Sequence, residues 1–507
     1  MIEPVTFSLA VLNETATAEL MADLALLIGP GEVITLTGDL GAGKTAAARA
    51  MIRYLAGDPE LEVPSPTFTF VQGYDLPSFP LVHADLYRVN DALELEELGL
   101  SPLPDGAVAL IEWPERAPNA IPADHIDIAL THRAALGPSA RAVQITGHGK
   151  AAAVVERLQA LREFLSGARF MDTRRELMAG DASTRSYARL YRGDKSFILM
   201  NSPPKRDGAA IYGGKTYSAV VHLATTVKPF VALANGLRAR GFAAPAIRDG
   251  DLEAGFLITE DLGSATCFEG DPPTPIAARY EAATDLLAAL HGMELPNELP
   301  LSPGITYTIP DFDVDAMMFE ISLMPDWYMR DRKAVPDDAA LAEFNAMWRA
   351  LLTPALDGRK TWVIRDFHSP NMIWLDERIG IERIGVIDFQ DTVMGPAAYD
   401  LVSLLQDARI DVPEDIELGM LTRYIRARLT ADRSFDPSGF ARMYAIMSAQ
   451  RNTRLLGTFA RLNLRDGKPN YLRHQPRLWT YLSRSLAHPD LQAFREWYDR
   501  HVPPPVG

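Results

Sequence analysis

Gly38-Asp39-Leu40-Gly41-Ala42-Gly43-Lys44-Thr45 decides the fold of the first part of the chain. Before it stands Glu32-Val33-Ile34-Thr35-Leu36-Thr37, which reads as a strand. After it, Thr45 to Leu55 is Ala-rich and reads as a helix. A strand, a glycine turn ending in Lys-Thr and a helix together make a phosphate-binding loop. The glycines allow successive backbone N–H groups to wrap an anion at a helix N-terminus. Gly38, Asp39, Leu40, Gly41, Ala42, Gly43, Lys44 and Thr45 are therefore the first nucleotide-binding candidates. Lys44 would reach the β- and γ-phosphates, and Thr45 would ligate Mg²⁺.

Outward from the loop, residues 1–150 alternate short apolar runs with turn signals. Phe68 to Val71, Leu81 to His83 and Val108 to Ile111 are expected to be strands. Three further blocks follow in order: Val63-Pro64-Ser65-Pro66-Thr67-Phe68-Thr69, His83-Ala84-Asp85-Leu86-Tyr87-Arg88 and Ile111-Glu112-Trp113-Pro114-Glu115-Arg116. This ordered set resembles the TsaE family, small P-loop ATPases of bacterial tRNA threonylcarbamoyladenosine synthesis. The resemblance implies an ATPase that binds and resets a complex with TsaB and TsaD, which modifies adenosine 37 of tRNA. It makes Asp85 the Walker-B-like acid that helps hold Mg²⁺, and has Glu112 act on the water or the metal. It also makes Ser65 to Thr69 a switch-like loop and places Trp113 beside the nucleotide. His83 reads as a packing or hydrogen-bonding residue.

The charge bears on the same half. The chain carries a net −16, and residues 1–150 hold nine Asp and eleven Glu against two Lys and six Arg. Affinity for nucleic acid rests on cation–phosphate contacts. A segment so acidic would meet tRNA only indirectly, through a partner. The single cysteine, Cys267, excludes an intramolecular disulfide and a thiolate zinc cluster. No apolar run is long enough for a membrane span, and Met1-Ile2-Glu3-Pro4 lacks the basic start of a secretory signal. The expectation is a cytoplasmic protein.

A second constellation lies about three hundred residues further on. Arg365-Asp366-Phe367-His368-Ser369-Pro370-Asn371 is followed by Val386-Ile387-Asp388-Phe389. Phosphoryl transfer to a hydroxyl needs one carboxylate near the acceptor and further oxygen ligands for metal. Asp366 and Asn371 stand five apart, and apolar residues precede both Asp366 and Asp388. Asp366 is the candidate catalytic base, with Asn371 and Asp388 as candidate Mg²⁺ ligands. Glu112 is the catalytic candidate of the first half.

Flanking residues extend this second set. Gly180-Asp181-Ala182-Ser183-Thr184-Arg185-Ser186-Tyr187 opens the region, Thr259-Glu260-Asp261-Leu262-Gly263 lies midway, and Gly395-Pro396-Ala397-Ala398-Tyr399-Asp400-Leu401 closes it. The order resembles the aminoglycoside phosphotransferase family over about residues 170–500. The opening motif and Asp326-Trp327-Tyr328 are most similar to its AmgK branch, the anomeric N-acetylmuramate and N-acetylglucosamine kinases of cell-wall recycling. The resemblance implies ATP-dependent phosphorylation of a sugar C1 hydroxyl. It makes Glu260 and Leu262 hinge residues at the nucleotide.

Two departures stand out. Aminoglycoside enzymes carry a histidine two residues before the catalytic Asp, where this chain has Ile364. The usual strand lysine is not evident, so Lys195, Lys205 and Arg185 remain open as phosphate contacts. For the acceptor, Glu320, Asp326 and Tyr328 are candidate hydrogen-bonding groups, and Trp327 could stack on a pyranose. The Arg451 to Arg465 stretch could meet an anionic substituent or could be a solvated helix face.

The whole reads as two enzymes fused: an α/β P-loop NTPase domain over 1–150, a helical linker over 151–169, and an α+β two-lobed protein-kinase-like domain over 170–507. Two alternatives stay open. The second half could be a non-catalytic regulatory module, or its acceptor could be an aminoglycoside, choline or homoserine.

Overall fold

The computed structural model describes residues 2–89, 103–178, 185–205 and 207–505. Residues 180–184 of the expected opening motif lie outside them. The chain divides into two compact units: residues 1–204 with 248–261, and residues 205–247 with 262–507. Among the described residues no helix is long and apolar enough to cross a membrane.

The first unit contains a seven-stranded sheet of β1 (Val5–Val11), β2 (Val33–Thr37), β3 (Val71–Asp75), β4 (Pro80–Asp85), β5 (Val108–Glu112), β6 (His125–His132) and β7 (Arg141–His148). Their spatial order is β1-β7-β6-β2-β5-β4-β3. β2 pairs in parallel with β5 and β6, and β5 in parallel with β4. Every residue of β5 is buried, as are the first four of β2. That suits central strands covered on both faces. Helices α1 (Glu14–Ala25) and α2 (Lys44–Ala56) supply Leu20, Leu24, Met51 and Ile52 to the core around Ile34 and Leu110. Asn13 caps α1 by accepting from the Ala16 N–H at 2.8 Å.

One expected strand differs. Residues 66–69 form a turn, and pairing begins only at Val71. Pro64 and Pro66 supply no N–H for a ladder, and Phe70 adopts a left-handed φ of 64°.

Helix α3 (Ala152–Gly167) leads into a five-stranded antiparallel sheet, in the order β11-β12-β10-β9-β8. Its strands are β8 (Arg174–Met178), β9 (Ser186–Arg192), β10 (Lys195–Asn201), β11 (Ile247–Asp251) and β12 (Phe256–Glu260). Leu161 and Leu165 of α3 share one apolar cluster with Leu26, Leu190, Leu199, Phe256 and Ile258. Packing therefore groups this sheet with the phosphate-loop sheet, although the motifs suggest a division near residue 150.

The second unit is mainly helical: α4 (Lys228–Arg238), α5 (Ala277–Leu290), α6 (Val314–Leu323), α7 (Asp338–Leu356), α8 (Ala398–Leu405), α9 (Glu414–Ala431), α10 (Pro437–Asp466), α11 (Gln475–Ser485) and α12 (Gln492–His501). Small hairpins join β13 (Phe268–Glu269) to β14 (Thr274–Pro275) and β15 (Glu298–Ser302) to β16 (Ile305–Thr308). Two more pairs, β17 (Thr361–Val363) with β20 (Val393–Gly395) and β18 (Met372–Trp374) with β19 (Ile384–Val386), frame the Asp366 and Asp388 loops. The buried middle of α10 runs against the end of α6. A Cβ on Gly457 would lie 2.3 Å from the Leu323 backbone, so only glycine permits that approach.

Candidate active sites

The phosphate loop leaves β2 at Gly38, whose φ is 134° and whose Cβ, if present, would fall 2.3 Å from the Leu130 carbonyl oxygen. The loop ends at Gly43, the N-cap of α2. Lys44 Nζ donates to the carbonyls of Gly38 (2.6 Å) and Asp39 (3.0 Å) and sits 3.5 Å from the centre of the Trp113 ring. Burial lowers the Lys44 pKa, with Glu112, Glu115, Asp85 and Asp39 opposing. Trp113 thus stands beside the loop, as a cation–π partner of its lysine.

Strand register assembles the acids. Leu36 of β2, Glu112 of β5 and Asp85 of β4 are in-register neighbours at the carboxyl ends of parallel strands. That edge of an open α/β sheet is where ligands bind. Thr45 Oγ1 donates to Glu112 Oε2 at 2.9 Å, and His83 Nε2 meets Glu112 Oε1 at 2.9 Å. His83, Glu112 and Asp85 are all buried. Asp85 accepts from Thr67 Oγ1 (2.6 Å), Ser65 Oγ (3.2 Å) and the Tyr87 N–H (2.9 Å). The acid in contact with the phosphate-loop hydroxyl is therefore Glu112, while Asp85 ties down the Ser65–Thr69 loop. Sequence reasoning missed Arg141. From the start of β7 its Nε donates to the Ala42 carbonyl at 2.7 Å, a contact that depends on strand pairing about a hundred residues away.

In the second unit, Arg365 and Asp388 hold left-handed φ values of 69° and 58°. Such backbone is costly for non-glycine residues and concentrates at functional sites. Asp400, fully buried on α8, accepts from the Ile364 and Arg365 N–H groups at 2.8 and 2.9 Å. One carboxylate thereby fixes the turn before Asp366. Asn371 Nδ2 donates to the Asp366 carbonyl (3.0 Å) and approaches Asp388 Oδ2 (3.3 Å). Asp366, Asn371 and Asp388 are thus brought to one place. Gln390 Nε2 donates to Asp388 Oδ1 at 2.8 Å, while its buried Oε1 has no partner among the described residues.

Around Asp366 lies a cluster of arginines. Burial pushes its carboxyl pKa up, but Arg454, His368, Arg365 and Arg451 outweigh burial and hold it below the usual carboxylate range. Arg365 donates to Glu320 Oε1 at 2.6 Å, Arg454 to the same oxygen at 3.2 Å, and Gln450 to Glu320 Oε2 at 2.9 Å.

This corrects two acceptor candidates. Glu320 is buried, and both its oxygens are engaged by Arg365, Arg454 and Gln450 beside the turn before Asp366. Tyr328 is fully buried and donates to the Pro503 carbonyl at 2.9 Å, so it belongs to the core. Asp326 is exposed and Trp327 half-buried, on a widened π-type turn over Met324–Met329.

Of the remaining candidates, Arg185 lies just before β9 and Glu260 ends β12, paired with Phe197 of β10. Leu262 packs over Gly385. β10 bears its one lysine, Lys195, at its exposed first residue. Its far end, Asn201, accepts instead from Arg157 Nε at 2.7 Å.

Both centres offer hard oxygen donors: Thr45 with Glu112 or Asp85, and Asn371 with Asp388. Among the described residues no three His, Cys, Asp or Glu side chains converge on a point. One or two carboxylates with a hydroxyl or amide fit Mg²⁺, which completes its octahedron with phosphate and water.

The fold and sites define a P-loop nucleotide-binding domain joined to a kinase-like phosphotransferase. Residues 11–141 match the family described as threonylcarbamoyl adenosine biosynthesis protein TsaE, and residues 175–441 match the phosphotransferase enzyme family. An N-acetylmuramate/N-acetylglucosamine kinase of Caulobacter vibrioides is 39% identical over 360 residues, covering 69% of this chain and 97% of that protein. One from Pseudomonas aeruginosa is 32% identical over 312 residues, 61% of this chain and 82% of the relative. A tRNA threonylcarbamoyladenosine biosynthesis protein TsaE of Rickettsia bellii is 37% identical over 118 residues, 23% of this chain and 81% of the relative. The chain belongs to the phosphotransferase enzyme family, with the N-acetylmuramate/N-acetylglucosamine kinases among its relatives, and carries a TsaE-family domain ahead of it.

Proposed function

We propose a bifunctional protein. Its kinase half transfers phosphate from ATP to the C1 hydroxyl of N-acetylmuramate or N-acetylglucosamine. Its P-loop half hydrolyses ATP in support of threonylcarbamoylation of tRNA adenosine 37, with TsaB- and TsaD-like partners that hold the tRNA.

The observation that carries the kinase reading is Asn371, bonded at once to the Asp366 backbone and the Asp388 carboxylate. In this reading Asp366 accepts the proton of the attacking hydroxyl, and its depressed pKa keeps it ionised for that task. Asn371 and Asp388 hold Mg²⁺, which when bound neutralises phosphate charge. In the P-loop half, Lys44 binds phosphate, and Thr45 with Glu112 holds the second Mg²⁺. His83 keeps the Glu112 carboxylate oriented, and Asp85 couples the Ser65–Thr69 loop to the same edge.

The test is direct. The full chain, given Mg-ATP and N-acetylmuramate, should form the sugar 1-phosphate, and Asp366→Ala should not. Absence of phosphate transfer to any amino sugar by the unmodified chain sinks the kinase reading. For the other half, TsaB- and TsaD-like proteins should stimulate ATP hydrolysis that depends on Lys44.

A further inference from the structure

A cavity of about 630 Å³ in the second unit abuts the catalytic loop at Pro370, four residues on from Asp366. Arg409, Arg473 and Arg477 line it, against one acid, Asp271. Tyr471 and Phe268 supply aromatic wall. The Tyr471 ring is held by Phe459, centroid to centroid 5.3 Å. Arg477 is partly engaged, donating to the Ala408 carbonyl at 2.8 Å and lying 3.5 Å from Asp411 Oδ1. Among the described residues neither Arg409 nor Arg473 enters an ion pair.

The arginines of α10, which the sequence offered for an anionic substituent, are otherwise occupied. Arg451 donates to Ser403 and Gln406, Arg454 to Glu320, and Arg465 to Asp466, while Arg461 covers the Tyr217 ring. A carboxylate on the acceptor needs cations whose charge is not already matched, next to a surface that takes a sugar face.

We propose that the Arg409–Arg473–Tyr471 cavity binds the carboxylate of an acidic amino sugar, the lactyl group of N-acetylmuramate, and so sets preference for the acidic over the neutral acceptor. This rests on the amino-sugar kinase reading above. Arg409 and Arg473 are the carboxylate contacts and Tyr471 is the stacking wall. The cavity contains its own reporter. Burial, with Arg473, Arg409 and Arg477, pushes the His474 pKa down to about 4, against the pull of Asp407. An anion seated among those arginines offsets their charge and raises it.

The experiment compares kcat/KM for N-acetylmuramate and N-acetylglucosamine in the full chain, Arg409→Gln, Arg473→Gln and Arg473→Lys. The expected result is a fall of about tenfold or more in the acidic-to-neutral ratio for either glutamine variant, through KM, with Arg473→Lys recovering part; about tenfold is the scale of one exposed charge-assisted contact. A ratio unchanged within about twofold overturns the proposal. If the unmodified chain phosphorylates neither sugar, the kinase reading has failed separately. The cavity is then tested by the NMR titration of His474, assigned with His474→Gln. A rise in its pKa with N-acetylmuramate but not N-acetylglucosamine supports the carboxylate site. A rise with inorganic phosphate alone makes it a phosphate site and overturns the assignment, as does no rise with any of the three.

Discussion

Asp23 of α1 and Arg175 of β8, 152 residues apart in sequence, meet in a buried ion pair, with Arg175 Nε 2.5 Å from Asp23 Oδ1. Arg162 of α3 holds the other carboxylate oxygen. The helix behind the phosphate loop, the connecting helix and the first strand of the kinase-family region are thus pinned by one carboxylate. Asp23→Ala leaves two arginines without their buried partner, a change that costs about 3–5 kcal/mol. Calorimetry should show a lower melting temperature for the whole first unit, not for the P-loop segment alone. Pairing it with Arg175→Met should give a loss well below the sum of the two single changes. Strict additivity would mean the pair is not coupled.

Lys44→Ala separates the two halves. In the proposed reading Lys44 is the loop's phosphate-binding cation, so partner-stimulated ATP hydrolysis should fall by about 10²–10³-fold, the scale of removing one preorganised charge contact. Sugar phosphorylation, which in that reading rests on Asp366, should stay within about twofold. Loss of both activities in a folded variant would show that the phosphate-loop nucleotide controls the kinase.

Some of this arrangement was legible in the sequence, and some was not. The phosphate loop and the Asp366–Asn371 spacing are local patterns, each written within eight residues. Asp388 was legible because an apolar run delivers it to a strand end. Three relationships were not. The Thr45–Glu112 contact depends on β2 and β5 being parallel neighbours in one register, which no local pattern states. Arg141 reaches Ala42 only because β7 pairs with β6. Glu320 looked like an acceptor contact because a carboxylate near Asp326-Trp327-Tyr328 has no local sign of burial. Its arginines come from residues 365 and 454. The Pro-flanked Phe68–Val71 run was misjudged as a strand because its apolar side chains outvoted its missing N–H groups.

The pH profile of the kinase follows from Asp366. Its folded pKa lies below the ordinary carboxylate value, because four cationic or ionisable neighbours outweigh burial. In the proposed reading Asp366 is the base and acts when ionised. Sugar phosphorylation should therefore be flat downward from neutrality through about pH 5, and the acid limb of kcat/KM should fall below the usual Asp value of about 3.9. The same depression adds stability above the unfolded pKa, and that stability is lost as pH falls through the folded one. An acid limb centred above about pH 5 would show that burial, rather than the arginines, governs this carboxyl.

Glu320 distinguishes loss of charge from loss of packing. Glu320→Ala strands Arg365 and Arg454 in the interior, so about 3–5 kcal/mol of stability should go. Kinase activity should go with it, because Arg365 also fixes the turn before Asp366 through its 2.7 Å bond to the Val221 carbonyl. Glu320→Gln is milder. Its amide oxygen can still accept from Arg365, and its new N–H₂ would face the donating amide of Gln450. The Gln450 Oε1 is buried without a partner among the described residues, so turning that amide over satisfies both side chains. The glutamine variant should melt within about 1–2 kcal/mol of the parent, the scale of a hydrogen bond to a charged group. It should keep measurable sugar phosphorylation where the alanine variant has none. Equal loss in both variants would mean that the negative charge itself, and not the hydrogen-bonded frame, holds Arg365 in place.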